Sequence, residues 1–336
     1  MRTKFIVLTI VLMLVGLAGY GQVDDSYYRQ ADSVERRENI GAKSRMLVDS
    51  SSVDSLSWAR ASRAFNRQEW YRAIGYFQDY TLRFPNSDSV PMAYYRMAQG
   101  YLSMGEMVQA RGLFENALLH PKSKVTAQAA QALLPMYRES KRSDTLMLRV
   151  LSLNEPMAAT PSALSDLRRE ELRVAQGLGQ PGLIATYAQR LLSTPGLPEG
   201  LKLYGNYQLA YALYALGRYD EAYPVFDAVS KEPGVESSAE AMFRKVEIRY
   251  IQKDWQGVRD DALAAGRMKT TYQYWVGRSY ILLARAYQEQ DKISEARSIL
   301  KSLVQRYINV TDGIVAEAEA GLTALAEGRT DWYKGQ

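Results

Sequence analysis

A repeat of about 37 residues runs through most of this 336-residue chain and limits its fold more than any other feature. Each unit carries an apolar, usually small residue at a corresponding position; these are Ala73, Ala110, Ala222, Val258 and Ala296. They follow one another at intervals of 37, 112, 36 and 38 residues. Because 112 residues is close to three periods, we expect two degenerate repeats inside that interval, near Met147 and Ala185. A period of this length is typical of a solenoid, whose units pack only against their neighbours.

Apolar residues inside each unit are three and four positions apart, which indicates amphipathic helices. Small residues such as Ala98 and Ala210 allow two helices to approach closely, and Gly105 and Gly217 can take the left-handed conformation that ends the first helix. The pattern predicts an all-α solenoid of about seven helical hairpins within residues 54–310, the last one ending near Tyr307. The degenerate repeats cover about residues 122–198.

One more helix is predicted after the last repeat, at Asp312–Glu327 within a segment at residues 311–328. It has an acidic start, a following glycine, and an apolar face made of Ile314, Val315, Ala318, Leu322 and Leu325. Such a helix covers the exposed edge of the last hairpin, as terminal units of solenoids do. Residues 329–336 are expected to form a tail.

The clearest repeat reads Tyr94-x-x-Met97-Ala98-x-x-Tyr101-x-x-x-Gly105-x-Met107-x-x-Ala110-x-x-x-Phe114-x-x-Ala117. This pattern resembles the tetratricopeptide repeat (TPR) family. The resemblance implies paired antiparallel helices, stacked into a right-handed superhelix whose concave face binds other proteins or peptides.

A second resemblance rests on the stretch Ala73-Ile-Gly-Tyr-Phe-Gln-Asp-Tyr-Thr-Leu-Arg-Phe-Pro-Asn-Ser, continued by Ala93-Tyr-Tyr-Arg-Met-Ala. It is similar to exported repeat proteins of Gram-negative envelopes, such as the Tol-Pal coordinator and the repeat lipoprotein of outer-membrane protein assembly. Four triplets of Asp, Ser or Thr and an apolar residue resemble the O-glycan acceptor pattern of exported Bacteroidota proteins; they begin at Asp32, Asp54, Asp88 and Asp144. The same triplets are also typical of helix N-caps, the interpretation we favour.

The N-terminus has the pattern of a secretory signal peptide at residues 1–21. Arg2 and Lys4 precede an apolar run from Phe5 to Ala18, and small residues follow, so cleavage is expected after about Gly21. An uncleaved membrane anchor is the alternative, although the run is shorter than the roughly 20 apolar residues of a spanning helix. After cleavage we expect a periplasmic chain without a membrane span. Residues 22–53 are predicted to be a polar tether that contains at most one helix, at Ser33–Val48.

Composition excludes several kinds of chemistry. The chain has no cysteine and one histidine, so thiolate zinc sites, iron–sulfur clusters and multi-histidine metal sites are excluded, and we expect no cofactor and no metal. Without Arg2 and Lys4, the net charge falls from +5 to +3, which is too small to indicate a nucleic-acid partner. Gly177-Leu-Gly-Gln-Pro-Gly182 matches a dinucleotide-binding pattern by count, but it follows a helical segment and is better explained as a turn.

Tyrosine gives the sharpest indication of function, with 24 Tyr against 7 Phe. Tyr204, Tyr207, Tyr211 and Tyr214 recur at intervals of three and four residues and so share one face of a helix. By the TPR resemblance this face lines the concave groove, where corresponding positions are Trp58, Phe65, Tyr95, Leu102, Phe243 and Tyr250, followed by Ile281 and Gln288. These residues form our predicted binding surface for a partner.

Three functions are consistent with the sequence. We favour a non-enzymatic scaffold for protein segments of the envelope, with Glu240, Glu247, Arg278 and Arg285 orienting the partner. A carbohydrate-binding module is the alternative, since clustered exposed aromatic rings also stack on sugars. An enzyme is disfavoured, but a pair of carboxyl groups brought together in a pocket, with shifted pKa values, would support one.

Overall fold

The computed structural model describes residues 50–120, 124–232 and 234–333. Within these ranges the secondary structure consists of fifteen α-helices and one short 3-10 helix, with no β-strand. The α-helices are α1 (Ser50–Asn66), α2 (Trp70–Arg83), α3 (Val90–Ser103), α4 (Met107–Leu118), α5 (Val125–Glu139), α6 (Thr145–Asn154), α7 (Pro161–Leu178), α8 (Pro181–Leu192), α9 (Glu199–Ala215), α10 (Tyr219–Ser230), α11 (Glu236–Ile251), α12 (Trp255–Arg267), α13 (Gln273–Glu289), α14 (Ile293–Arg306) and α15 (Ile314–Ala326). The predicted all-α fold is confirmed.

Two compact units meet within α1, between Ala59 and Arg60, and the packing described below belongs to the unit that begins at Arg60. The predicted signal peptide at residues 1–21 and the predicted helix Ser33–Val48 lie outside the described residues. The described ranges contain no helix with both the length and the apolar character needed to cross a membrane.

From α2 onward, each helix packs against the next helix in the chain, so consecutive pairs form antiparallel hairpins that stack in order. We call α1, α3, α5, α7, α9, α11 and α13 the first helices, and their hairpin partners the second helices. Some successive first helices also pack on one another, namely α3 on α5 and α11 on α13, and α13 in turn packs on α15. No comparable packing joins successive second helices in the described part of the chain. The side of the stack on which the first helices approach one another is its inner side, and we call it the inner face.

Small residues form the contact within each hairpin, as the repeat predicts. Ala98 and Ala110 join α3 to α4, and Ala210 and Ala222 join α9 to α10, each without exposed surface. Large apolar residues such as Phe114 and Phe226 fill the remaining space and are also fully buried. A larger side chain at any of these alanines would force the helices apart, because protein interiors are already close-packed.

The turn inside every hairpin contains one residue with a left-handed backbone. These residues are Gln68, Gly105, Lys141, Gly179, Gly217, Lys253 and Asp291, with φ between +51° and +83°. They recur at intervals of 36 to 38 residues, including the two turns of the degenerate region, so that region keeps the register of the repeat. Met147 and Ala185, the expected anchors of those two repeats, are both buried. The predicted turn at Gly177–Gly182 is also confirmed, since Gly179 ends α7 with φ +66°.

The Asp-Ser/Thr-apolar triplets do not share one structural role. Asp144 is the N-cap of α6, and its carboxylate accepts a hydrogen bond from the Met147 amide at 2.9 Å. Ser89 precedes α3 but makes no capping hydrogen bond with its side chain. Asp54-Ser55-Leu56 lies inside α1, so the cap interpretation is wrong there. The triplet at Asp32 lies outside the described residues.

Helix α15 covers the edge of the last hairpin, as predicted. Asp312 accepts a hydrogen bond from the Ile314 amide at 3.1 Å, and Ile314, Ala318 and Leu325 are buried. After α15 the chain continues into a short segment, Gly328–Tyr333, which we call the tail.

Candidate partner-binding surface

The predicted binding residues all lie on first helices. From Arg60 onward these are the helices that line the inner face. Their accessibility differs from one hairpin to the next, because neighbouring side chains and the tail cover parts of this face. The structure accordingly divides the predicted surface into four portions.

The first portion lies at the N-terminal end. Phe65 is half-buried, with its ring 5.4 Å from that of Trp70 and the Arg96 guanidinium 4.7 Å from its centre. Tyr95 is also half-buried and packs against Phe114 at 5.4 Å. Leu102 is 39% exposed. Trp58 lies on α1 before the unit boundary and is half-buried.

The second portion is the tyrosine stripe, which forms a bridge from α9 to α11. The Tyr207 hydroxyl donates to Glu240 at 2.6 Å, and the Tyr211 hydroxyl donates to the other oxygen of the same carboxylate. Arg244 donates to the Tyr211 hydroxyl at 2.9 Å and to Glu247 at 2.7 Å. Burial raises the pKa values of Tyr207 and Tyr211 well above the ordinary range, and the hydrogen bonds to Glu240 raise them further.

Arg244 lies at the centre of this bridge, among aromatic rings. Its guanidinium carbon is 5.3 Å from the centre of the Tyr211 ring, 5.7 Å from Tyr214, 5.3 Å from Phe243 and 5.9 Å from Trp275. Such cation–π contacts are strongest when the cation is desolvated, and this side chain retains only 13% of its exposure. The polar groups of the stripe are thus engaged within the protein, and the rings of all four tyrosines are half-buried.

Phe243 must be removed from the predicted surface. Its side chain has no exposed area and its ring lies 5.7 Å from that of Trp275, so it belongs to the core. Ile281 is buried as well. Two of the predicted orienting charges, Glu247 and Arg278, are at most 8% exposed; Glu247 pairs with Arg244, and one terminal nitrogen of Arg278 pairs with Glu317. Close packing of α11 on α13 covers these positions.

The third portion is an open cavity of about 570 Å³, which we call the Arg173 cavity. Helices α5, α7 and α9 contribute its lining residues, which are Arg138, Asp166, Arg169, Glu170, Arg173, Leu201 and Tyr204. Two of its arginines are neutralised: Arg138 binds Glu170 at 2.7 Å and Arg169 binds Asp166 at 3.1 Å. Arg173 is exposed and forms no hydrogen bond or ion pair with the residues that the structure describes.

Tyr204 connects the predicted stripe to this cavity. Its hydroxyl donates to Gln176 of α7 at 2.7 Å. Burial raises its pKa, while the positive charges of Arg173 and Arg169 act in the opposite direction. The site therefore combines an aromatic ring with an unneutralised cation, which suits a ligand that has an apolar part and an anionic group.

Sequence reasoning did not identify Arg169, Arg173 or Gln176. They recur at intervals of four and three residues on a first helix, which is the same spacing as the tyrosine stripe. That polar stripe could have indicated a binding face on α7. The repeat is degenerate here, however, so the motif did not show which side of α7 faces inward.

The fourth portion, at the C-terminal end, is covered by the tail. Tyr250 lies 6.4 Å from Tyr333, ring centre to ring centre, and Gln288 forms hydrogen bonds with Arg329 and Trp332. Arg285, one of the predicted orienting charges, donates to the Thr330 carbonyl at 2.5 Å.

A pair of carboxyl groups with shifted pKa values does occur, at Glu155 and Glu171. Arg190 lies between them, 2.9 Å from Glu155 and 3.6 Å from Glu171. Burial raises the pKa of Glu171 to about 7, with a smaller contribution from the negative charge of Glu155. Glu171 is fully buried and does not line the Arg173 cavity, so this pair cannot contact a substrate there.

Exposed aromatic rings form no cluster among the residues that the structure describes. Among the residues described, only Tyr71 on α2 combines an aromatic ring with a mostly exposed side chain. The arrangement expected for stacking on sugar rings is therefore not found in this part of the chain.

Comparisons with known proteins agree with the repeat architecture. Residues 277–307, which cover most of α13 and all of α14, match the tetratricopeptide repeat family model, and this supports a TPR protein. No protein with a curated description matches significantly. Similar solved structures include Naa15/Naa10 bound to HypK-THB, at 13% identity over 84% of this chain and 44% of that chain, with a TM-score of 0.44. The P58(IPK) TPR domain is 14% identical over 83% of this chain and 90% of that chain, with a TM-score of 0.25. The chain thus spans less than half the length of the first of these structures.

Proposed function

We propose that this protein is a scaffold that binds segments of other proteins on its inner face, with the Arg173 cavity as the main contact. The observation that carries this proposal is the cavity itself, an opening on first helices that holds an exposed arginine without a partner in the described structure. Its volume of about 570 Å³ falls within the roughly 300–1,000 Å³ of typical ligand sites. The protein acts by binding rather than by catalysis.

The recognised segment carries an acidic side chain next to an apolar one. The acidic group pairs with Arg173, whose planar guanidinium can hold a carboxylate with two hydrogen bonds. The apolar group packs on Tyr204 and Leu201, on the α9 side of the cavity. Arg138 and Arg169 already have acidic partners, so they contribute shape more than net charge.

We further propose that the protein works in a bacterial periplasm, in envelope assembly, transport or secretion. The support is the N-terminal pattern of Arg2, Lys4 and the apolar run to Ala18, together with the resemblance of the repeats around Ala73 to exported envelope proteins. Intact-mass measurement of protein from the native host tests export. A mature chain that starts near Gln22 is expected, and a chain that retains residues 1–21 would contradict cleavage.

A photo-crosslinking amino acid at Arg169, an exposed residue that also lines the cavity, tests the binding surface in cells and leaves Arg173 in place. The matched control carries the same group at Leu82, which is 75% exposed on the second helix α2. We expect a defined set of envelope proteins from position 169 and not from position 82. Tyr204→Ala should then reduce these crosslinks, because the ring that holds the apolar group is lost. Identical products from both positions, or no effect of Tyr204→Ala, would contradict a binding site in this cavity.

A further inference from the structure

The tail lies across the inner side of α13 and the neighbouring α11 and α15. Gly328 ends α15 with φ +69°, and the Arg329 amide donates back to Ala324 at 2.8 Å. This left-handed residue reverses the chain direction, since glycine adopts positive φ without steric cost. The five residues that follow are directed back over the last hairpin instead of away from it.

Helix α13 holds the main chain of the tail. Gln288 donates to the Arg329 carbonyl at 2.9 Å, and Arg285 donates to the Thr330 carbonyl at 2.5 Å. Side chains that bind consecutive carbonyls hold a peptide main chain whatever its sequence. This part of the inner face is therefore built to bind a peptide main chain.

Two aromatic side chains add specificity. The Trp332 indole is 5% exposed and donates to Gln288 at 2.7 Å. Its ring packs so closely on Gly321 that a Cβ atom there would lie 2.9 Å from the indole. The Tyr333 ring lies 6.4 Å from the Tyr250 ring, centre to centre. The guanidinium carbon of Arg278 is 5.9 Å from the centre of the Tyr333 ring.

Arg278 retains binding capacity that the tail does not use. Its side chain is 6% exposed, and one terminal nitrogen donates to Glu317 at 2.5 Å. Its Nε and Nη2 atoms are buried and have no hydrogen-bond partner among the described residues. Buried donors of this kind are costly to leave unpaired, so a ligand that brings an acceptor to this position would bind more favourably than Tyr333.

We propose that the tail is an intramolecular ligand, and that the surface under it binds a partner segment with a tryptophan-like ring for the Gly321 site and a hydrogen-bond acceptor for Arg278. This surface is separate from the Arg173 cavity. The tail competes with the partner because it is covalently attached and therefore present at high effective concentration. Partner binding requires the tail to leave, which lowers the apparent affinity by the fraction of molecules that are uncovered.

Fluorescence anisotropy with a labelled peptide of residues 328–333 tests this proposal. The peptide is titrated with the full-length protein and with the full-length Trp332→Ala/Tyr333→Ala variant. We expect the variant to bind at least about tenfold more tightly, since its own tail competes poorly. Adding Gln288→Ala to the variant should weaken binding about tenfold, because two hydrogen bonds to the peptide are lost. Equal affinity of both proteins, or no binding by a variant that retains its helical circular dichroism signal, would overturn the proposal.

A second peptide tests the acceptor at Arg278. This peptide ends in Glu where the first ends in Tyr. We expect it to bind the Trp332→Ala/Tyr333→Ala variant about tenfold more tightly than the first peptide does, because its carboxylate can accept hydrogen bonds from Arg278. Equal or weaker binding would remove Arg278 from the proposed site. If the double variant loses its helical signal, the same titrations use the Tyr333→Ala variant alone, because the Tyr333 ring is only half-buried. Arg173→Glu should leave both titrations unchanged, which separates this surface from the Arg173 cavity.

Discussion

Two sections of the inner face are built from the same hairpin unit but join their first helices differently. In the section from α11 to α15, helix backbones pack directly on one another, and the tail covers them. In the section from α5 to α9, successive first helices make at most isolated backbone approaches. Side chains span the gap there, through Arg138 with Glu170 and Tyr204 with Gln176.

The side chains between the first helices also differ between the two sections. In the close-packed section, Gly277 faces Ile314 with no room for a Cβ atom, and Phe243 is completely buried. In the spaced section, charged and aromatic side chains bridge the helices and line a cavity. A solenoid can therefore provide an open binding surface by changing a few residues on first helices while it keeps the alanines inside each hairpin.

Phe243→Ala should produce the largest effect, because it breaks the close-packed section at its core. We expect a loss of about 3–5 kcal/mol in the free energy of unfolding, since a fully buried ring is replaced by a cavity. Urea unfolding measures this loss. Tyr204→Ala is the matched control in the spaced section and should cost much less, because its ring is half-buried beside an open cavity. Equal losses would mean that the two sections are packed alike.

Glu171 should make the spaced section sensitive to pH. Burial raises its pKa in the folded protein to about 7, against 4.5 in the unfolded chain, so the folded state binds the proton more tightly. The stabilisation is complete below pH 4.5 and is lost as the pH rises through 7, with a total of about 3 kcal/mol. Glu171→Gln should remove this dependence, and the difference in unfolding free energy between the two proteins should grow from pH 5 to pH 8.

The acidic and basic neighbours of Glu171 determine the pH range over which that experiment reports on Glu171 alone. Glu155, Arg190 and the Ser152 hydroxyl are its close polar contacts. The pKa of Glu155 is lowered despite its burial, because Arg168 and Arg190 bind it, so its own contribution is lost only at acid pH. A pH-independent difference between wild type and Glu171→Gln above pH 5 would show that Glu171 is ionised in the folded protein.

The repeat period was sufficient to predict the fold, because the contacts that define it are local. Ala110 and Ala222 recur in register, and the seven left-handed turn residues keep that register even where the motif is degenerate. The inner face was harder to predict, since exposure there depends on how far apart two first helices lie. Periodicity placed Tyr204 and Phe243 on equivalent faces, but it could not show that one lines a cavity and the other is buried. The covering tail required contacts between residues about 40 positions apart, such as Gln288 with Arg329.

Gly277→Leu and Gly182→Leu compare the space available in the two sections. A Cβ atom at Gly277 would lie 2.9 Å from Ile314, whereas nothing lies within 4 Å of one at Gly182. Gly277 lies inside α13, where the gain in helix propensity opposes the clash, and Gly182 lies in the first turn of α8, so a lower stability of the Gly277 variant reports packing. In urea unfolding, we expect the Gly277→Leu variant to be about 1–3 kcal/mol less stable than the Gly182→Leu variant. Equal stability of the two variants would show that α13 and α15 can separate without cost.

Tyr207→Phe should have the smallest effect, and it decides what the tyrosine stripe does. The change removes one hydrogen bond to Glu240 but keeps the ring, and Tyr211 and Arg244 still bind the same carboxylate. We therefore expect a loss of about 0.5–1.5 kcal/mol in unfolding free energy. Crosslinking from position 169 should be unchanged if the stripe is a structural bridge between α9 and α11. Reduced crosslinking with unchanged stability would instead show that the Tyr207 hydroxyl leaves Glu240 to bind the partner, which would extend the binding surface from the Arg173 cavity along α9.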